Sequence, residues 1–398
     1  MSTHDFIKFP PRLEQLPPAL WLLMGELEAM LSNLRTMPLQ PEEIENLQTL
    51  YLAKGVHATT AIEGNPFLEF DVLHQVRKDW PKSALFEKEH QEIDNMVAAF
   101  AAVTSDCNGG EWPRFSLDLL NQYHRLIMRG LESAEVHAGA LRRHRVTVGR
   151  YLAPPAGDCE RLLDELCAWL NTEDDPPAGH ARYKRAWTVV KAIAAHVYFA
   201  WIHPYADGNG RLARLIEYAV LMRAGIPDCA AHLPSYAYWH SRQRYYRELQ
   251  DSHGDYRDGA YHRGDLTGFI LYALEVFRDE LDALDTKVKS IQMAAFLRDR
   301  IRSYFPSILT VAQQRRLRLA LDLTLQFPDA PMTQLDIWEN LDFMPTGEFE
   351  FSNIQLDRDL TALVKMGILI DKHLGYVTNP KILHDLVGFS GVKADDFE

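Results

Sequence analysis

Ile202-His203-Pro204-Tyr205-Ala206-Asp207-Gly208-Asn209-Gly210-Arg211-Leu212-Ala213-Arg214 joins two apolar-periodic runs near the middle of the chain. The first run, Tyr183 to Trp201, must stop at His203-Pro204, because the residue before a proline is pushed out of the helical region. A turn rich in Asp, Gly and Asn follows, suited to tight or left-handed backbone. The second run begins near Asn209, a good N-cap residue, and places Leu212, Leu215, Ile216, Ala219 and Val220 on one face. The stretch therefore predicts helix, tight loop, helix.

That arrangement gathers several chemistries in one place. A fresh helix N-terminus offers unbonded amides and a positive dipole end, which together attract anions. Arg211 and Arg214 lie three residues apart on one helix face, and two guanidinium groups suit a di- or triphosphate. Asp207 adds a hard oxygen ligand of the kind magnesium uses beside substrate phosphates. His203 supplies a titratable base next to the anion. A lone His-Pro or Gly-Asn-Gly would be read as a helix stop and a loop. Thirteen consecutive residues that fit one mechanism favour a site.

From His203 to Arg214 the stretch resembles the signature of the Fic family: His-Pro-Phe, any residue, Asp/Glu, Gly-Asn-Gly-Arg, two residues, Arg. The one departure is Tyr205 in place of Phe, whose hydroxyl needs a partner if buried. The resemblance implies a mainly α protein, with a Fic-type helical bundle core and a small β-hairpin flap. It implies a nucleotidyltransferase that moves AMP from Mg-ATP to a Ser, Thr or Tyr hydroxyl of a protein. In that reading His203 is the catalytic base and Asp207 the metal ligand. Gly208, Asn209, Gly210, Arg211 and Arg214 hold the ATP phosphates.

Upstream, Pro41 sits well at the first turn of a helix running to Ile62, with Gly64 as C-cap and Pro66 as a stop. Glu63 then places a carboxylate where it opposes the helix dipole, at a cost of about 0.3–1 kcal/mol when exposed. Either it is a solvated surface residue or a nearby cation offsets the cost. Thr59-x-x-x-Glu63-Gly64 resembles the inhibitory helix motif of Fic proteins, which implies that Glu63 pairs with Arg214 and obstructs productive ATP binding. A water-activating role for the same Glu, in removing AMP from a modified target, is a further implication.

Downstream, residues 141–151 alternate polar and β-branched residues and predict a short hairpin, ended by Pro154-Pro155. Arg142, Arg143, Arg145 and Arg150 make it locally basic. It is either an ordinary surface hairpin or, as the resemblance implies, a flap whose Val146, Thr147 and Val148 pair with an extended target segment. His196 reads as a core histidine. Tyr245 and Tyr246 lie in a tyrosine-rich helix; the resemblance implies an adenine-pocket role, with plain core packing as the alternative.

The 398-residue chain is long enough for two or three domains, and its 47% hydrophobic and 24% charged content is that of an ordinary globular protein. The expected division is an N-terminal helical region over 1–110 with the inhibitory helix at about 41–64, a catalytic core over 111–285, and a winged-helix-like domain over 286–398. No apolar run approaches a membrane span and no signal peptide is evident. Four cysteines without CxxC pairing indicate a reduced, cytoplasmic protein without a zinc framework. The net charge of −13 and a candidate recognition helix carrying Arg358 and Lys365 against Asp357 and Asp359 make nucleic acid an unexpected partner. ATP and a protein substrate are the expected partners, and self-modification and a homodimer are compatible with the reading. The competing reading is a winged-helix transcriptional regulator, or a protein-binding module, with an idle Fic core.

Overall fold

The structure, a computed structural model, describes residues 4–9, 17–79, 82–108, 112–133, 135–173, 181–257, 260–262, 264–326, 331–340, 353–372 and 375–382. The sequence also predicts a turn at Gly109-Gly110, a loop over 174–179 and a helix N-cap at Ser352, and these lie outside the described residues.

Two compact units divide at 286/287: Met1–Thr286 and Lys287–Glu398. In the first, helices run α1 (Pro18–Thr36), α2 (Pro41–Ile62), α3 (Glu69–Arg77), α4 (Glu87–Asn108) and α5 (Leu117–Met128). The hairpin β1 (Thr147–Val148) and β2 (Tyr151–Leu152) follows. Next come α6 (Cys159–Leu170), α7 (Lys184–Ile202), α8 (Asn209–Arg223), α9 (Asp228–Ala231), α10 (Leu233–His240) and α11 (Arg242–Ser252). A second hairpin, β3 (Asp255–Arg257) and β4 (Ala260–His262), precedes the long α12 (Thr267–Arg302). Among the described residues every sheet is a two-stranded antiparallel pair, so the fold is mainly α.

At the centre α7 packs on α8, and α1 and α6 cover α7. Both central helices are buried nearly all round: Val189 to Phe199 on α7 and Arg211 to Met222 on α8 are buried without a break. A helix apolar on every side belongs in the middle of a core. The C-terminal half of α2 behaves the same way, with every residue from Gly55 to Ile62 buried against α3, α4, α9 and α10. Gly55 is required there, because a Cβ would overlap the His232 ring. The predicted start and stop of α2 both hold. Pro41 occupies the first turn, and Gly64 takes φ +102. Asn65 N donates to Thr60 O and Gly64 N to Ala61 O, each at 3.1 Å, the paired bonds of a Schellman cap.

Two sequence expectations are corrected in this unit. The tyrosine-rich run is two helices, α10 and α11, with Ser241 between them. Asn209 is not the N-cap of α8. Gly208 caps the helix in a left-handed conformation, φ +78, which suits glycine.

The second unit contains α13 (Val311–Gln326), α14 (Gln334–Asn340), α15 (Asn353–Lys365) and the hairpin β5 (Leu369–Lys372) with β6 (Gly375–Thr378). Leu319, Leu323, Leu356, Leu360, Leu363 and Ile368 form its core, and Met332 bridges to Tyr376 beside the hairpin. Asp359, counted as a surface charge of α15 from the sequence, is instead fully buried between Arg315 Nε at 2.5 Å and Arg316 Nε at 2.7 Å.

Candidate active site

The loop between α7 and α8 is built from backbone conformations that need outside support. His203, the C-cap of α7, is left-handed at φ 47, ψ 57. For a residue with a Cβ that costs about 1–2 kcal/mol, so neighbours must hold it. Arg142 does part of this: its Nε donates to His203 O at 2.7 Å and its main-chain N to Pro204 O at 2.9 Å. Asn209 closes the loop from the other end, accepting from Tyr205 N at 3.0 Å and donating to Tyr205 O at 2.9 Å. Its amide is therefore committed to the loop rather than pointing at a ligand. Tyr205 is fully buried, stacked on His124 at 3.8 Å, and its hydroxyl finds Asn121 Oδ1 at 2.7 Å. His124 completes the frame by accepting from Gly139 N at Nδ1, 2.8 Å, so that Nε2–H donates to Asp207 O at 2.9 Å. Burial pushes His124 down to about 4, consistent with a neutral ring in this bridge.

The His203 ring places Nδ1 3.3 Å from Ala200 O. A carbonyl accepts only, so Nδ1 carries the proton and the Nε2 lone pair is left for chemistry. Burial, with the Arg142 cation adding to it, lowers His203 to about 4. The ring is thus neutral and able to take a proton at pH 7.

Beyond the loop, the two arginines of α8 are buried in a way that leaves donors unused. Arg211 is 5% exposed, with Nη2 3.6 Å from Asp207 Oδ1 and 3.4 Å from Met128 Sδ. Arg214 is 1% exposed. The Nε atoms of both have no hydrogen-bond partner among the described residues. Buried donors without acceptors are costly, and an anion at this helix N-terminus would relieve the cost. The Asp207 side chain is 59% exposed and receives Gly208 N at 2.6 Å. A single exposed carboxylate beside a candidate anion site fits magnesium, which keeps several waters and takes its remaining oxygens from substrate phosphates.

Glu63 meets this cluster from α2. Its Oε1 lies 2.5 Å from Arg214 Nη2, which also donates to Thr59 O at 3.1 Å. The Thr59 hydroxyl itself has no partner among the described residues. Glu63 Oε1 also sits against Gly210, where a Cβ would overlap it. The end of α2 is held by α11: the Ile62 carbonyl accepts from Arg242 Nη2 at 2.9 Å and from Tyr246 OH at 3.1 Å.

A cavity of about 410 Å³ connects these parts, within the size range of small-molecule sites. His203, Gly210, Arg214, Glu63, Tyr245 and Tyr246 line it, together with Val148 of the hairpin. Asp207, Gly208, Asn209, Arg211, Val146 and Thr147 do not. Tyr245 presents its ring and spends its hydroxyl on His196 Nε2 at 3.0 Å, while His196 Nδ1 pairs with Glu217 at 2.7 Å. His196 is thus fully partnered and buried, as a core histidine should be. Tyr151, Trp201, His253 and Leu249 complete the apolar wall. None of these four was singled out from the sequence, though Trp201 lies two residues before the signature. His124 and Arg142 were missed as supports for the loop, since the partners of both are main-chain groups remote in sequence. Thr147 and Val148 are exposed on β1, paired with Leu152 and Tyr151 of β2. Arg142 is not part of the basic surface there, being only 4% exposed.

The Fic/DOC family profile matches residues 114–221, a span that takes in α7, the loop after it and α8 up to Leu221. Residues 114–221 of this chain are therefore similar to the Fic domain. Among curated proteins it is 30% identical over 195 residues to Protein adenylyltransferase Fic of Culex quinquefasciatus, covering 49% of this chain and 34% of that protein. It is 28% identical over 225 residues to Protein adenylyltransferase fic-1 of Caenorhabditis elegans, covering 54% and 38%. The chain thus spans between a third and two fifths of the length of these relatives. The fold is shared with a Fic family protein from Desulfovibrio desulfuricans G20, TM-score 0.55, 21% identity, covering 89% of this chain and 92% of that one. It is also shared with residues 134–508 of C. elegans Fic-1, TM-score 0.53, 22% identity, covering 69% and 75%.

Proposed function

We propose that this protein is an adenylyltransferase that moves AMP from ATP to a Ser, Thr or Tyr hydroxyl of a protein and is restrained by Glu63. The observation that carries the reading is the contact of Glu63 Oε1 with Arg214 Nη2 at 2.5 Å, in the same cavity as a neutral His203. An inhibitory carboxylate on a phosphate-binding arginine has meaning only if the arginine has phosphates to bind.

In this mechanism His203 Nε2 takes the proton of the incoming hydroxyl, whose oxygen bonds to the α-phosphorus as the bond to the β-phosphate oxygen breaks. Pyrophosphate leaves. Arg211, Arg214 and the main-chain amides at Gly208 and Gly210 neutralise and orient the phosphates, with Asn209 shaping the loop that presents them. Magnesium, held by Asp207, would supply charge neutralisation at the phosphate oxygens. Tyr245 and Tyr246 border the space for adenine, and Val146, Thr147 and Val148 form the edge that receives an extended target segment. Glu63, when displaced from Arg214, is placed to activate a water for the reverse removal of AMP. Thr59 and Gly64 fix the end of the helix that carries it.

In domain layout, residues 1–110 bear the restraint, 111–285 the catalytic core, and 286–398 a winged-helix-like module for protein contact. Three helices followed by a hairpin support that last assignment. A homodimer and self-modification belong to the same proposal. Among the described residues no helix is long and apolar enough to cross a membrane. Cys159 and Cys167 are free and buried, in keeping with a reducing, cytoplasmic setting. Incubation with α-labelled ATP, magnesium and a cell lysate tests the proposal. Labelled protein whose mass rises by one AMP supports it. No label from either the parent chain or Glu63→Gly would leave the core idle and sink it.

A further inference from the structure

Arg142 is a buried cation with no acidic partner among the described residues. Its side-chain contacts are main-chain carbonyls. Nε donates to His203 O at 2.7 Å, Nη1 to His144 O at 2.8 Å, and Nη2 to Pro154 O at 2.6 Å and Ile202 O at 3.4 Å. These carbonyls belong to two structures. His144 and Pro154 flank the β1–β2 hairpin on either side, and Ile202 and His203 are the last residue and the C-cap of α7. A helix leaves its last carbonyls without partners, and a cation there is favourable. Here one planar guanidinium meets the carbonyls of Ile202 and His203 at that end and clasps both feet of the hairpin at once.

We propose that Arg142 is a positioning residue that fixes the hairpin to the carbonyl of His203, so that a hydroxyl presented by a segment docked on the hairpin meets the base at a set distance. Three observations support it. His203 is one of two non-glycine residues with positive φ among those described, so its backbone depends on being held. The guanidinium reaches it directly at the carbonyl, one bond set from the ring that must be aimed. Arginine, with donors in a rigid planar fork, meets carbonyls on both structures simultaneously, whereas the three donors of lysine radiate from one flexible point. The proposal rests on the transferase reading for its kinetic consequence but not for its structural one.

The test uses the full chain in the Glu63→Gly background, with Arg142→Ala and Arg142→Lys. Misplacing a reacting group by about 1 Å costs about 100-fold in rate, so both variants are expected to lose about that much kcat. ATP dissociation constants should move less than about threefold, because Arg142 touches no part of the phosphate site. Added guanidinium ion should restore part of the kcat of Arg142→Ala and nothing in Arg142→Lys, a rescue that general loosening of the fold would not show. The second measurement needs no turnover: the ring-nitrogen NMR shifts of His203, assigned by its loss in His203→Ala. The parent should show a fixed Nδ1–H tautomer, and Arg142→Ala an averaged one that guanidinium restores. If Arg142→Ala does not fold, Arg142→Lys decides on kcat and tautomer together. A kcat within about threefold of the parent in Arg142→Lys, with the tautomer still fixed, overturns the proposal. A tautomer that changes as expected in a chain without transferase activity would refute the transferase reading and leave the positioning role standing.

Discussion

Free imidazole, with its ordinary pKa of 6.5, is already mostly neutral at pH 7, so the environment of His203 matters on the acid side. Burial lowers its pKa to about 4. A lowered pKa keeps the neutral, proton-accepting form at lower pH. The acid limb of kcat/KM is therefore expected nearer pH 4 than 6.5, and a limb at or above 6.5 in a pH-rate series would contradict it. The same sign governs stability. An unfolded chain takes the proton first, so His203, along with His124 at about 4, withdraws stability as pH falls from 6.5 through 4. His203→Ala should cost about 10²–10⁴ in transfer while ATP binding, measured by calorimetry, stays within a few-fold. Glu63 acts on the other side of the balance. On the proposed mechanism, its charge-assisted bond to Arg214 must be displaced by each productive ATP, at about 1.5–3 kcal/mol. Glu63→Gly should then raise transfer and tighten productive ATP binding by about ten- to a hundredfold, and Glu69→Gly, on the next helix, should do neither. Equal rates in Glu63→Gly and the parent would reduce Glu63 to a surface residue.

Helix α2 carries the residue proposed to impose that restraint and is itself anchored at its last turn. Arg242 and Tyr246 on α11 both donate to the Ile62 carbonyl, one residue before Glu63. Removing the cation by Arg242→Ala gives up a contact at a helix C-terminus worth about 0.3–1 kcal/mol. A two- to fivefold rise in basal transfer is expected, well below that of Glu63→Gly, and labelling rates of the three chains side by side would show it. No rise would mean that burial of Gly55 to Ile62 alone seats the helix. The contrast between α2 and α11 shows what the sequence could disclose. Proline at one end and a left-handed glycine at the other are local requirements of a helix, so α2 was legible from Pro41 to Gly64. The loop between α7 and α8 was legible for the same reason, its His-Pro stop and its glycine-rich turn being local conformational requirements. Arg142 was not: read from composition it is one of four arginines on a basic hairpin, and only the return of the chain at Pro154 and His203 shows it to be an internal clasp. Asn209 was misread as a cap because Asn suits that position, while the neighbouring Gly208 suits left-handed backbone better and took it. The β3–β4 hairpin, three residues to a strand, is too short for alternation to stand out.

At the scale of the whole chain, α12 is where the two cores can be told apart. Phe269, Ile270, Leu274, Phe277, Leu281 and Leu284 are buried within Met1–Thr286, whereas Leu297 and Ile301 belong to the core of Lys287–Glu398. The residues of the candidate site, from Glu63 to Tyr246, all precede the division. A chain ending at Ser290 keeps the first set of apolar side chains and omits the second, so it should retain the core of the first unit and fold. Its circular dichroism should show a cooperative thermal transition, and its basal transfer should stay low. The decisive quantity is the ratio of transfer by Glu63→Gly to transfer by the parent, measured in both the full and the shortened chain. If restraint is the work of the Glu63–Arg214 contact, the ratio is the same within about twofold, since no atom of that contact has changed. A folded shortened chain in which the ratio collapses toward one would place part of the restraint in residues 287–398. The same pair of chains bears on nucleic acid. With Asp359 buried, α15 exposes Arg358 and Lys365 against Asp357, too few cations for phosphate-driven binding by a protein of net charge −13. Random duplex DNA at low salt should therefore shift neither chain in an electrophoretic assay, and retardation of the full chain alone would restore the regulator reading.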